Sequence, residues 1–255
     1  MKRLSYVTTL LCSALFVFSG CGGGSSSGGG GNSPQNADVS GPWQATATST
    51  STPGINPVIV EANLVDSGGS LSSTAFVVVN SCVSSDANSK VTGSVSVNTV
   101  KLTATYAGVS VALTGTVSGS TITGTYTASG ACGNDSGAWT ATKMPQINGN
   151  YSGNVFSNSN TTQAIPVTGS IVADASLNIT GHASISSVCF NQFTLSGTQV
   201  GGAGQFVATD PQGDSISFLF ISKDAAFGSI AGVYSVTAGP SSCTGDSGTG
   251  SLTKM

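Results

Sequence analysis

Two halves of this chain repeat each other about 108 residues apart. Gly41-Pro42-Trp43 corresponds to Gly149-Asn150-Tyr151, and Ile122-Thr123-Gly124-Thr125-Tyr126 to Ile230-Ala231-Gly232-Val233-Tyr234, both at an offset of 108. Asp135-Ser136-Gly137 matches Asp246-Ser247-Gly248, and Thr142-Lys143-Met144 matches Thr253-Lys254-Met255. A period of this length is a whole domain rather than one unit of a solenoid. The chain therefore divides into β domains at 41–145 and 148–255, joined near Pro145 to Ile147.

Within each copy, apolar and hydroxyl-bearing residues alternate with period two. Val100, Leu102, Ala104 and Tyr106 face one way, Lys101, Thr103 and Thr105 the other. A half-buried strand needs this pattern, because successive side chains point to opposite faces. It predicts eight short strands per copy, the last of the first set over about 137–144 and the second of the second set over about 163–172. Turns such as Asp66-Ser67-Gly68-Gly69 separate them, and no stretch has helical periodicity. Eight strands with short links point to an all-β protein of two tandem antiparallel up-and-down barrels, which leave no free edge. The alternative is a pair of immunoglobulin-like sandwiches. That family carries a tryptophan between its paired cysteines, whereas Trp43 precedes Cys82 and Trp139 follows Cys132.

The start of the chain has a different character. Lys2 and Arg3 precede an apolar run from Leu4 to Phe18, and Ser19-Gly20-Cys21 ends it. A charged start, a short apolar core and a small-residue exit make a secretory signal, too short for a stable membrane span. With a cysteine after the cut it resembles a bacterial lipoprotein signal, with Phe18 where the pattern usually has leucine. The resemblance implies removal of residues 1–20, acylation of Cys21 and anchoring in the cell envelope through the acyl chains. Gly22 is not the aspartate that retains lipoproteins on the inner membrane, so the outer membrane is the expected site in a Gram-negative host. Residues 21–40, dominated by Gly, Ser, Asn and Pro, read as a flexible tether.

Without the signal, Lys90, Lys101, Lys143, Lys223 and Lys254 stand against nine aspartates and one glutamate, a net charge of −5. Such a chain has no basic patch for nucleic acid. Four cysteines remain after loss of Cys12 and lipidation of Cys21, an even number that reads as two disulfides in an exported chain. The repeat selects one bridge per domain, Cys82–Cys132 and Cys189–Cys243. In a meander the two bridged loops emerge at the same end, so each bridge either draws its loops inward to lid that mouth partly or flattens the barrel. A ligand would then enter at the opposite end. No C-x-x-C pair exists and His182 is the single histidine, so neither metal nor other cofactor is expected.

Gly245-Asp246-Ser247-Gly248 resembles the nucleophile loop of trypsin-like proteases, with His182 and Asp210, Asp214 and Asp224 upstream in triad order. Thr249 and Gly250 break that family's pattern, and the first copy repeats Asp-Ser-Gly with no histidine. The motif reads instead as a turn whose glycine takes a positive φ. His182 and Glu61 both alternate onto the outer face. The aromatics are the remaining signal. Gly-x-Trp in the first strand and Ile-x-Gly-x-Tyr in the seventh faintly resemble lipocalins and avidins, whose barrels hold small apolar ligands. The candidate pocket residues are Trp43, Leu113 and Tyr126 in the first domain, and Tyr151, Phe218 and Tyr234 in the second. The expected function is a non-catalytic structural or interaction module with a protein, glycan or small-molecule partner. The alternative is a small apolar-ligand binder, and a hydrolase comes last.

Overall fold

The computed structural model describes residues 34–51, 57–79, 89–106, 108–130, 133–187, 190–239 and 243–255, with backbone alone at 75–79. Alternation becomes sixteen strands: β1 (Gly41–Ser49), β2 (Val58–Ser67), β3 (Ser70–Val79), β4 (Lys90–Ser96), β5 (Thr99–Tyr106), β6 (Val109–Ser118), β7 (Thr121–Gly130) and β8 (Asp135–Lys143), then β9 (Asn148–Ser157), β10 (Asn160–Ala173), β11 (Asn178–Ile185), β12 (Gln192–Val200), β13 (Ala203–Thr209), β14 (Ser215–Ser222), β15 (Ser229–Ala238) and β16 (Ser247–Lys254). Each set of eight is an antiparallel meander closed on itself, β1 pairing with β8 and β9 with β16. Two closed barrels rule out the sandwich alternative.

The core of each barrel is the inward half of the period-two pattern. On β5, Val100, Leu102, Ala104 and Tyr106 are buried while Thr99, Lys101 and Thr103 are exposed. Burying each large apolar side chain contributes roughly 1.5–3 kcal/mol, so the alternation largely dictates which face turns inward. Two strands run longer than alternation predicts. β10 begins at Asn160, before its apolar residues, and β8 begins at Asp135, where the repeated motif lies.

Residues preceding each first strand plug the barrel end that they enter. Val39 and Ile147, 108 positions apart, are both fully buried in their barrels' cores. Trp43 Nε1 donates to the Val39 carbonyl at 2.8 Å. The neighbouring Ala37 N–H donates to Val97 O at 2.6 Å, and Asn36 Oδ1 accepts from Val97 N–H at 2.7 Å. The segment read as tether up to residue 40 is thus docked from Asn36 onward, because Val39 is apolar and has a site to fill.

The second barrel sits against the wall of the first through the two-residue β12–β13 turn, Gly201-Gly202. Gly201 N–H donates to Asn63 Oδ1 at 2.9 Å, Asn63 Nδ2 to Gln199 O at 2.7 Å, and Gly202 N–H to Glu61 Oε2 at 2.5 Å. Residues 34–255 accordingly form one compact unit. Glu61 and Asn63 do point out of their own barrel, but they are buried by the neighbouring one.

The disulfide readings fall largely outside the described residues, which exclude Cys21, Cys82, Cys132 and Cys189. Cys243 is the described one and packs against the second core.

Candidate functional site

The two copies fill their interiors differently. In the first barrel, Trp139 on β8 lies inward opposite Gly124 of β7, 3% exposed, with Nε1 donating to Thr114 O at 3.2 Å. The equivalent pair in the second barrel, counted from the shared Asp-Ser-Gly, is Gly250 on β16 opposite Gly232 on β15. Where one barrel holds an indole, the other holds no side chain. A cavity of about 60 Å³ lies there, lined by Gly250, Tyr151, Val167, Phe193, Phe206, Phe218 and Tyr234 among others.

The wall of this cavity is almost wholly carbon. Phe206 stacks on Phe218 with centroids 5.1 Å apart, and Phe218 packs against Tyr234 at 6.0 Å. Both tyrosine hydroxyls are tied away from the interior. Tyr151 OH donates to Phe227 O at 3.0 Å, and Tyr234 OH to Asp246 Oδ2 at 2.9 Å. Burial pushes each phenol up to about 12, helped by the charge of Asp224 at Tyr151 and by Asp246 at Tyr234. Neither phenol is an acid or base near neutral pH.

The end away from Cys243 is closed rather than open, contrary to the expectation for a ligand mouth. Phe227, in the β14–β15 connection, is 1% exposed and holds a φ of 53°. Asp224 stabilises this bend by accepting from the N–H groups of Ala226, Gly228 and Ser229. With Ile147 and Tyr151, Phe227 stoppers that end.

The three first-barrel candidates are core. Trp43 and Tyr126 are buried, and Leu113 packs against them, half buried. Tyr151, Phe218 and Tyr234 do come together around the second cavity. Sequence reasoning passed over Gly250. The signal was present in the alignment of the copies: Asp135-Ser136-Gly137-Ala138-Trp139 against Asp246-Ser247-Gly248-Thr249-Gly250.

The repeated Asp-Ser-Gly is a clamp on the barrel seam. Asp135 accepts from Tyr126 OH at 2.6 Å, from Ser49 Oγ at 2.6 Å and from Ser51 Oγ. Asp246 accepts from Tyr234 OH at 2.9 Å and from Ser157 Oγ at 2.6 Å. Burial opposes the Asp135 charge, but the hydroxyl donors outweigh it and hold its carboxyl at about 2. The glycines do not take a positive φ. A Cβ on Gly137 would lie 2.0 Å from Thr48 O, and one on Gly248 1.9 Å from Phe156 O. They are glycine because a neighbouring strand and the tyrosine ring pass too close for any side chain.

No triad assembles around this motif. Ser247 Oγ lies 3.1 Å from Asn158 Nδ2, while His182 is exposed on β11, separated from β16 by β9 and β10. Asp210 caps the β13–β14 turn through the N–H groups of Gln212 and Asp214. Among the described residues, no group of three or more His, Cys, Asp or Glu side chains converges as a metal site would require.

No family model and no curated protein matches this chain. Among solved structures, it is similar to a DUF3598-family protein of unknown function from Nostoc punctiforme, with 9% identity over 85% of this chain and 96% of that one at a TM-score of 0.26. It is also similar to kievitone hydratase from Nectria haematococca, with 14% identity over 84% and 88% of the two chains at a TM-score of 0.24. Likeness at this level carries no argument about chemistry.

Proposed function

We propose that this chain is an exported, non-catalytic cell-envelope protein, anchored by acyl chains on Cys21, whose second barrel takes a small apolar molecule. The first barrel serves as a solid structural module. The observation that carries the reading is the interior difference between copies: Trp139 fills one barrel, and Gly250 leaves a carbon-lined space of about 60 Å³ in the other. Apolar cavities stay dry, and an engineered one of about 150 Å³ takes benzene. A ligand of that size therefore requires the wall of the cavity to give way. With both tyrosine hydroxyls engaged elsewhere, recognition is by shape and dispersion.

A role as an interaction module has its own support on the outer face of the same barrel. Leu219 pairs across strands with Val233, which is 52% exposed, and Val207 beside them is 43% exposed. Exposed apolar side chains of this kind suit a partner surface.

Native mass spectrometry of the full chain, extracted from its host in detergent, tests the proposal. The expected spectrum shows a mature chain beginning at an acylated Cys21 and a bound small apolar molecule that Gly250→Leu abolishes. Peptide mapping of the same sample is expected to recover Cys82–Cys132 and Cys189–Cys243. A chain without bound ligand, and unable to bind benzene or xenon, would overturn the binding role.

A further inference from the structure

The barrel contact contains a carboxylate that the cavity does not use. Glu61 is fully buried, and its register partner on β1 is Gln44. Gln44 Nε2 donates to Glu61 Oε1 at 2.8 Å and lies 3.2 Å from Ser222 O of the second barrel. Gly202 N–H donates to Glu61 Oε2. Gly201, at φ 57°, fits so closely that a Cβ there would lie 2.3 Å from Trp43 O and 2.4 Å from Glu61 Oε2.

Among the described residues, the groups packed around Glu61 are neutral. β1 supplies the Gln44 amide and Trp43 backbone, and β3 places Val77 opposite it in register. The β12–β13 turn supplies two glycines, with Gln199 beside them donating to the Gly201 and Pro145 carbonyls. At the end of β14 it meets Ser222, and the following Lys223 is exposed to water. Lys143 of β8 is directed to Asp38 at 3.6 Å and over the Trp43 ring. Docking therefore takes a carboxyl group out of water to a place with no cation among the described residues, where the loss of hydration favours the protonated acid more than the two N–H donors favour the carboxylate.

We propose that Gln44, Glu61 and Asn63 of the first barrel, closed over by the Gly201-Gly202 turn of the second, form a proton-controlled clasp that tightens in mild acid and loosens as pH rises past neutrality. Burial raises the docked Glu61 from its ordinary value of 4.5 to about 7, partly offset by the Gln44 and Gly202 donors. The docked form holds a proton that the undocked form has released. Docking is therefore strongest below the undocked value, weakens as pH climbs toward the docked one, and is weakest and level above it.

Amide hydrogen exchange on the full chain tests the clasp, read as protection factors so that the chemistry of exchange itself cancels. The Gly201 and Gly202 amides are expected to lose protection several tens of fold between pH 5 and pH 8, as the linkage between those two values requires. The Phe206 amide, in the middle of the same barrel, is expected to hold its protection. Glu61→Gln keeps the size of the side chain, removes the titrating group, and is expected to make the Gly201 and Gly202 protection level with pH. If this variant does not fold, the native comparison with Phe206 decides. Equal protection of the two glycine amides at both pH values, or a loss that persists in Glu61→Gln, would overturn the proposal.

Discussion

Val97 sits at φ 55° in the β4–β5 turn, in a region where a β-branched side chain crowds its own backbone. Asn36 and Ala37 hold it there from outside, through the Val97 N–H and carbonyl. Its side chain is 42% exposed and contributes little packing. Val97→Gly is therefore expected to stabilise the protein by about 0.5–1 kcal/mol in urea unfolding, because strain removed outweighs the added freedom of the unfolded chain. A loss of stability would mean that the valine side chain has a packing role. Single residues also mark what alternation leaves hidden. It places Glu61 outward, correctly, yet the pattern reports only which face a side chain takes. What lies against that face is set by the β12–β13 turn, more than a hundred residues away.

At the level of strands, most of the architecture was legible. Period two gave sixteen strands, and their short links implied up-and-down closure. The ends were less visible, since β10 starts among Thr161, Thr162 and Gln163, where no apolar pattern marks a strand. The candidate site was half legible: inward aromatics were identified, but which barrel was hollow depended on one pairing, Gly124 with Trp139 against Gly232 with Gly250. Trp139→Gly is expected to destabilise the first barrel by about 3–5 kcal/mol, the usual result of deleting a buried indole. Xenon NMR should then show a new apolar cavity beside Leu113 and Tyr126. Unchanged stability, or no xenon response there, would contradict the view that Trp139 is what makes the first barrel solid.

For the whole molecule, the barrels are closed modules, joined among the described residues by the hydrogen-bonded contact at the β12–β13 turn. Coupling between them should depend on the turn that makes it. Gly201→Val introduces a side chain against Trp43 O and forces a β-branched residue to φ 57°. At pH 5, calorimetry of the native chain is expected to show one unfolding transition, and Gly201→Val two, each with the enthalpy of a single barrel. One transition in both proteins would place the coupling outside this contact.

The plug residue Val39 has a mechanical meaning. Pulling on the chain from its N-terminal side would not reach β1 first. The load would fall on the Ala37–Val97 hydrogen bond, on the Asp38–Lys143 ion pair and then on Val39, seated under the Trp43 indole. Those contacts lie in series ahead of the sheet and form a strain relief, so a tug on the N-terminal side would be absorbed at the barrel floor before any strand was peeled from its neighbours.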